Sequence, residues 1–526
     1  MTTATQTDPK AGPREWLGLA VLTLPTLVLA IDVTVLNLAV PHLSADLEPT
    51  GAELLWIVDV YGFMIAGFLL TMGSLGDRIG RRRLLMIGAV GFGAASVLAA
   101  FAATPATLIA ARGLLGVTGA TLMPSTLALL TNMFKDRAQR GIALGVWATC
   151  MSLGAAVGPV LGGALLEWFA WGSVFLVAVP VMVLLLITAP LLLPEYRDAD
   201  AGRIDLVSVV LSLAAVLPVV YGIKRLAEHG VDAAAAGAVA AGLVVGAIFV
   251  RRQRKSTDPL LDLRLFADRA FSSALLILLL GLGLMGGLYL FIAQYLQSVA
   301  GLTAFQAGLW LLPAAAALIA ASSLTPLLVR RIRPAYVIGG ALLLSVPGYV
   351  MIAAVDSEGG LPLLVTGFVL IYAGISPVMV LGTDLVVGSA PPERAGSAAA
   401  MSESGMEFGI AVGVAALGSV VTAVYRGELV DTLPSDAPEA TRDVALETLA
   451  GAETAAGTHP DPMRLEVLEP ARDAFTNGLN LAAGIAAAIV AALAVVAIVL
   501  LRDVPSSTVI ERAVDAPEPE RADQER

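Results

Sequence analysis

Apolar residues run along this chain in blocks of twenty or more, broken by short polar turns. A helix needs about 20 mostly apolar residues to cross a bilayer. Fourteen blocks meet that length: 16–40, 52–73, 84–103, 107–132, 141–165, 173–193, 204–223, 233–250, 271–297, 305–329, 335–354, 361–390, 395–424 and 480–501. The pattern predicts an all-α membrane protein. The first block is too long for a signal-peptide core, contains Asp32 and lacks a small-residue cleavage site, so it is expected to remain as the first span.

The basic residues test this count. They cluster at Arg78 with Arg81–Arg83, at Lys135, Arg137 and Arg140, at Arg251, Arg252, Arg254 and Lys255, and at Arg330, Arg331 and Arg333. With fourteen spans all four clusters fall on one side, as the positive-inside rule requires. A miscount by one span would scatter them. Both termini are then expected in the cytoplasm, with the chain in the cell membrane. The block at 233–250 is Ala-rich and weak, so a twelve-span chain is the alternative.

Composition narrows the classes further. Of 526 residues 57% are hydrophobic and 14% charged, with a mean hydropathy of +0.83. A soluble domain carries roughly 25% charge, and disorder needs low hydrophobicity, so both are excluded. The net charge of -11 argues against a nucleic-acid partner. Most of the acidic excess lies in 426–478 and in the tail 502–526, which reads as disordered. Cys150 is the single cysteine and His occurs at 42, 229 and 459, so no metal site or cofactor is expected. Asp443–Ala450 and Met463–Phe475 show apolar residues at helical spacing. They read either as short helices on the external mouth or as part of a solvated linker.

Three stretches carry mechanism. The first, after the second span, is Gly73-Ser-Leu-Gly76-Asp77-Arg78-Ile79-Gly80-Arg81-Arg82-Arg83. A plain basic turn explains its arginines but not Asp77 between two glycines. Asp77 can cap a helix or pair with an arginine, and such a contact can hold two bundles together on the inner side. The second, in span four, is Arg112-Gly-Leu-Leu-Gly116. The third, in span five, places Gly154, Gly158 and Gly162 on one face for tight packing, with Pro159 and Gly163 beside them. This predicts a bend that acts as hinge or seal. Gly405, Gly409 and Gly413 repeat the stripe in span thirteen, which predicts an internal repeat with spans seven and eight inserted.

The first loop resembles the signature of the major facilitator superfamily, Gly-x-Leu-x-Asp-Arg-x-Gly-Arg-[Arg/Lys]. Arg112 to Gly116 resembles that family's Arg-x-x-x-Gly motif, with Leu115 where Gln is often found. Gly154 to Gly163 resembles its antiporter motif. With Trp56-Ile-Val-Asp59-Val-Tyr61 and fourteen spans, the chain is similar to the 14-helix drug/proton antiporters, the quaternary ammonium compound and multidrug efflux type. The resemblance implies two six-helix bundles, 16–193 and 271–501, around two inserted helices at 204–250. The remaining parts are an N-terminal segment 1–15, linkers 194–203 and 251–270, the acidic external loop 426–478 and the tail 502–526.

Ionisable residues inside spans are functional candidates. They are Asp32, Asp59, Arg112, Asp384, Glu403 and Glu407. Glu403 and Glu407 share a helix face, and two carboxyls close together in low dielectric do not both ionise easily. Arg112 needs a counter-charge, for which Asp32 is the natural partner. Plainer readings stand beside these: Asp59 facing water at the outer end, Glu403 in a helix-start role, Asp384 as a packing residue. The resemblance implies that acids in spans one, two and thirteen handle protons and cationic substrates. No acid lies between Gln306 and Leu328 in span ten, which implies a narrower range of substrate charge. Trp56, Tyr61, Trp147, Tyr289, Phe291, Trp310 and Phe408 are candidates to line an aromatic cavity.

The expected function is proton-coupled export of lipophilic, often cationic, drugs, dyes or antiseptics by alternating access. It is expected of a monomer in the lipid bilayer, driven by the proton gradient. The alternative is a dedicated exporter of one metabolite, such as a self-made antibiotic or a lipid. No Gly-x(4)-Gly-Lys-[Ser/Thr] run occurs, so ATP-driven export is not expected, and nothing suggests an enzyme.

Overall fold

A computed structural model describes residues 11–197, 205–229, 232–256, 263–389, 395–434, 438–457, 460–502 and 504. Within them the chain is helical: α1 Pro13–Leu47, α2 Gly51–Ile79, α3 Arg81–Ala100, α4 Pro105–Met133, α5 Arg137–Trp168, α6 Ser173–Leu176, α7 Ala178–Leu192, α8 Leu206–His229, α9 Ala233–Lys255, α10 Arg269–Gln294, α11 Ala304–Val329, α12 Pro334–Ile352, α13 Leu361–Gly388, α14 Ala395–Thr432, α15 Glu439–Glu447, α16 Leu449–Ala456 and α17 Asp461–Leu500. A π-helical turn, Tyr295–Val299, continues α10. Among the described residues fourteen helical segments are long and apolar enough to cross a membrane, with α6 and α7 forming the sixth. The protein is a multi-pass membrane protein.

Local sequence explains the helix starts. Thr50 with Glu53, and Thr303 with Gln306, form reciprocal capping boxes at α2 and α11. The Asp136 and Asp268 side chains accept the third backbone N–H of α5 and α10. Large apolar side chains such as Ile87, Leu191, Val210, Leu243 and Val495 lie more than half exposed, forming the surface that meets lipid.

The two glycine stripes make equivalent contacts. On α5, Gly154, Gly158 and Gly162 press against Leu27, Thr34 with Ile31, and Val35 of α1. On α14, Gly405, Gly409 and Gly413 press against Leu275, Leu279 and Gly283 of α10. Both series advance four residues per step on both helices, as close helix packing through small residues requires. Spans one and five thus repeat as spans nine and thirteen.

Call the side carrying the arginine loops the basic face. Near the opposite face the bundles meet through α5 and α11: Gly308 packs on the Pro159 carbonyl, and Gly163 on the backbone of Ala304 and Phe305. Gln297 donates to Leu38 O at 3.0 Å in the same region. Towards the basic face, Gly141 and Gly145 of α5 have open space before them. The hairpin α8–α9 stands to one side, where α8 packs on both α2 and α14.

The segment 426–478, expected as a loop, is largely helical. α14 runs on to Thr432 and α17 begins at Asp461, far ahead of the span start expected at 480. Between them α15 and α16 form a cap. Tyr425 Oη donates to Ala445 O at 2.7 Å, and Glu447 accepts the Gly51 N–H at 3.4 Å while facing Arg426 at 3.8 Å. Buried Val467, Leu468, Ala471 and Phe475 supply the apolar face that keeps α17 helical beyond the membrane. The tail, apart from Arg502 and Val504, lies outside the described residues, as do residues 1–10, 198–204 and 257–262 of the expected terminal and linker segments.

Candidate functional site

Two buried ion pairs lie side by side on α2. In the first, Arg112 Nη1 donates to Asp32 Oδ2 at 2.7 Å, and Nε donates to Ile57 O at 3.2 Å. The guanidinium also lies over the Tyr61 ring, 4.4 Å from its centroid. Arg112 is 1% exposed and Asp32 9%. Gly116, one turn along α4, lets that helix approach: a Cβ there would sit 2.5 Å from Tyr61 O. Arg112-x-x-x-Gly116 therefore places a fixed cation and a close helix contact on one face.

In the second pair, Lys224 Nζ of α8 lies 2.8 Å from Asp59 Oδ2, and both residues are 2% exposed. The ammonium also stands 3.9 Å from the centroid of the Trp56 ring. The sequence pattern misses Lys224 because the seventh apolar block ends at 223. A usable signal was present: Val216, Val220 and Lys224 are spaced by four and share the face turned to α2. Asp59 thus faces a lysine in the protein interior rather than water.

α14 brings the paired acids to the seam. Glu403 and Glu407 are half-buried. Gly62 of α2 packs where a Cβ would lie 3.4 Å from Glu407 O and 3.2 Å from Ala411 Cβ. Tyr61 lies within electrostatic reach of Asp32, Arg112 and Glu407, which links the first pair to α14. Asp384 is set apart: it is exposed on α13, and its neighbour Thr383 makes the contact to α14, with Ser402 Oγ at 3.4 Å.

The aromatic candidates divide. Trp56 and Phe408 converge through Phe63, which the sequence reading did not single out, with ring centroids at 6.5 and 6.1 Å. Phe63, Gly67, Val216, Ser404, Gly405 and Phe408 line a cavity of about 260 Å³ between α2, α8 and α14. Tyr61 belongs to the Arg112 cluster. Tyr289 stacks on Phe368, and Phe291 packs near Phe475, both within the second bundle. Trp147 is half-buried on α5, and Trp310 is 43% exposed.

The signature loop is tied to its own bundle. Asp77 Oδ1 accepts from Arg81 Nε at 2.7 Å and faces Nη2 at 2.6 Å. Arg81 N donates to Tyr196 O at 2.9 Å, and Arg82 N to Glu195 Oε1 at 3.1 Å. Gly80 has φ +111° and packs on the Glu195 carboxylate, so a side chain there would be doubly strained. Gly76 packs on Arg81, Gly73 has only Pro124 near it, and Arg78 is exposed. The inter-bundle contact expected of this loop is replaced here by the segment after α7.

Outside the membrane, Glu453 of α16 accepts from Ser298 Oγ at 3.2 Å and lies 4.0 Å from Arg472. Burial pushes its carboxyl above the ordinary value of 4.5.

These features define a two-bundle membrane transporter with charges buried at its seam. Residues 22–414 match the Major Facilitator Superfamily, and the chain belongs to it. It is 43% identical over 499 residues to the "Multidrug efflux pump LfrA" of Mycolicibacterium smegmatis, covering 95% of this chain and 98% of that one. It is 35% identical over 494 residues to the "Methyl viologen resistance protein SmvA" of Salmonella typhimurium, covering 92% and 97%. Among solved structures it resembles an inward-facing, unoccupied bacterial homologue of the human lysosomal transporter Spinster. The TM-score is 0.65 at 17% identity, over 94% of this chain and 99% of that chain, which speaks to the fold.

Proposed function

We propose that this protein exports lipophilic, often cationic, small molecules across the cytoplasmic membrane in exchange for protons. The observation that carries the reading is the seam itself: half-buried Glu407 packs through its backbone on Gly62 of α2, within electrostatic reach of Tyr61 of the Arg112 cluster, with half-buried Glu403 one turn before it and an aromatic cavity alongside. The relatives named for multidrug efflux and methyl viologen resistance support the substrate class. The basic face is taken as cytoplasmic. The closed contacts of Pro159 and Gly163 on the far side, with open space at Gly141 and Gly145, then fit a state open to the cytoplasm.

In this reading a carboxylate attracts the cation and protonation cancels that attraction, so proton and substrate oppose each other by linkage. One pH unit supplies about 1.4 kcal/mol per proton. The membrane potential supplies about 2.3 kcal/mol per charge at 100 mV, provided net charge crosses. No bound cofactor is needed.

Substrate-induced proton release from the purified protein in detergent, measured across pH with a panel of cationic dyes, tests this. Release by several unrelated dyes is expected. Response to a single compound would favour a dedicated metabolite exporter, and no release would sink proton coupling.

A further inference from the structure

The Asp59–Trp56 pair has the chemistry of a cation subsite. A carboxylate supplies charge and an aromatic face supplies cation–π attraction, which together recognise organic ammonium groups. That place is filled by the chain's own cation. Lys224 Nζ lies 2.8 Å from the carboxylate and 3.9 Å from the ring centroid.

The source of that lysine matters. It stands on α8, from the helix pair set to one side of the two bundles, and α8 packs on α2 of one bundle and α14 of the other. It therefore straddles the seam that alternating access must change. Lys224 also adjoins the cavity wall. Phe63, Val220, Ala411 and Ala415 form a separate apolar cluster, with Trp56, Val216 and Phe408 packed against it. Phe63, Val216 and Phe408 line the cavity of about 260 Å³ as well. A lipophilic cation in that cavity has apolar walls leading towards the pair.

We propose that Lys224 is a tethered competitor for the Asp59–Trp56 subsite: a cationic substrate binds there by displacing the lysine ammonium. Lys224 thereby sets the affinity for cations without affecting uncharged compounds. This rests on the export reading given above. A lysine suits the role better than an arginine, since it presents a compact point charge on a flexible stem rather than a rigid multi-donor fork. A subsite held by its own ligand about nine-tenths of the time binds an outside ligand about ten-fold more weakly.

The probes are tetraphenylphosphonium and an uncharged dye, Nile red, bound at equilibrium to the purified full chain without a proton gradient. Lys224→Gln is expected to bind tetraphenylphosphonium about ten-fold tighter than wild type, with Nile red unchanged. Adding Asp59→Asn should remove the gain. A second measurement needs no variant. The chain has four lysines, Lys10, Lys135, Lys224 and Lys255; among the described ones Lys224 is buried, whereas Lys135 and Lys255, the last residue of α9, are exposed. Reductive methylation at Lys224, read by peptide mass spectrometry, should rise with saturating tetraphenylphosphonium and not with Nile red.

Unchanged or weaker cation binding by folded Lys224→Gln overturns the proposal, as does unaltered methylation at saturating cation. If Lys224→Gln does not fold, the methylation result decides. Failure of every form to bind tetraphenylphosphonium also overturns it, while proton release by other dyes would leave the export reading standing. Tighter binding by the variant, with no proton release by any dye, would support the competitor and sink proton coupling.

Discussion

The two buried ion pairs share a helix yet differ in how each cation is held. Arg112 is fixed by three partners within its own bundle: Asp32, the Ile57 carbonyl and the Tyr61 ring. Lys224 reaches Asp59 and Trp56 from a peripheral hairpin. An arginine cannot shed its proton, so its acid is obligatory; a buried lysine can. The first pair thus belongs to the frame of one bundle. In the proposed cycle the second is an exchangeable contact across a boundary that moves. Both pairs are buried, and what separates them is the head group of the cation and the element supplying it.

The largest effect should come from breaking the first pair. Asp32→Asn strands a permanent cation and is expected to cost about 3–5 kcal/mol and to abolish proton-driven efflux of a fluorescent cation from energised vesicles. Thermal unfolding in detergent and vesicle efflux read both; wild-type efflux would remove Asp32 from the coupling machinery. Asp59→Asn should cost less, about 1–3 kcal/mol, because the flexible lysine stem can carry its ammonium away from the site. Equal losses in the two variants would erase the distinction between frame and exchangeable contact.

A smaller, selective effect is expected on α14. Glu407→Gln leaves both ion pairs intact and should slow export of cations by about ten-fold, a loss near 1.4 kcal/mol, while sparing neutral substrates. Equal loss for both classes would make Glu407 structural. The smallest effect concerns the cap, far from either pair. Glu453 has a raised carboxyl value when folded, so its stabilising contribution is complete below the ordinary value and fades as pH rises through the raised one. Wild type should therefore lose thermal stability over that window relative to Glu453→Gln. Parallel pH curves for the two would remove Glu453 as the source.

Much of this was readable along the chain. The fourteen spans followed from apolar block length, because lipid demands it of every crossing helix. The pairing of Arg112 with Asp32 was also legible, since a buried arginine must find an acid and few were on offer. The cap helices were half legible. Their apolar spacing was plain, but only their docking on the mouth made helix the better choice over solvated linker. Lys224 was lost at a boundary: block counting stops at a charge, whereas the helix continues because Asp59 waits for that charge. The signature loop was recognised by its residues, yet its present partners, Tyr196 and Glu195, lie more than a hundred positions away.

The sequence by itself determined the class of solvent, the number of crossings, the repeated glycine stripes and the shortlist of buried charges. Each of these is a local property, set by residue type and by a spacing of about 20 or of four along one helix. Tertiary structure decided who meets whom. It gave Arg112 a bond to Ile57 and a ring beneath it, joined Asp59 to a lysine from the inserted hairpin, and left Asp384 on the surface. The physical reason is that a buried charge states only that a partner is needed. Which partner arrives depends on how distant helices pack, and spacing along the chain does not encode that.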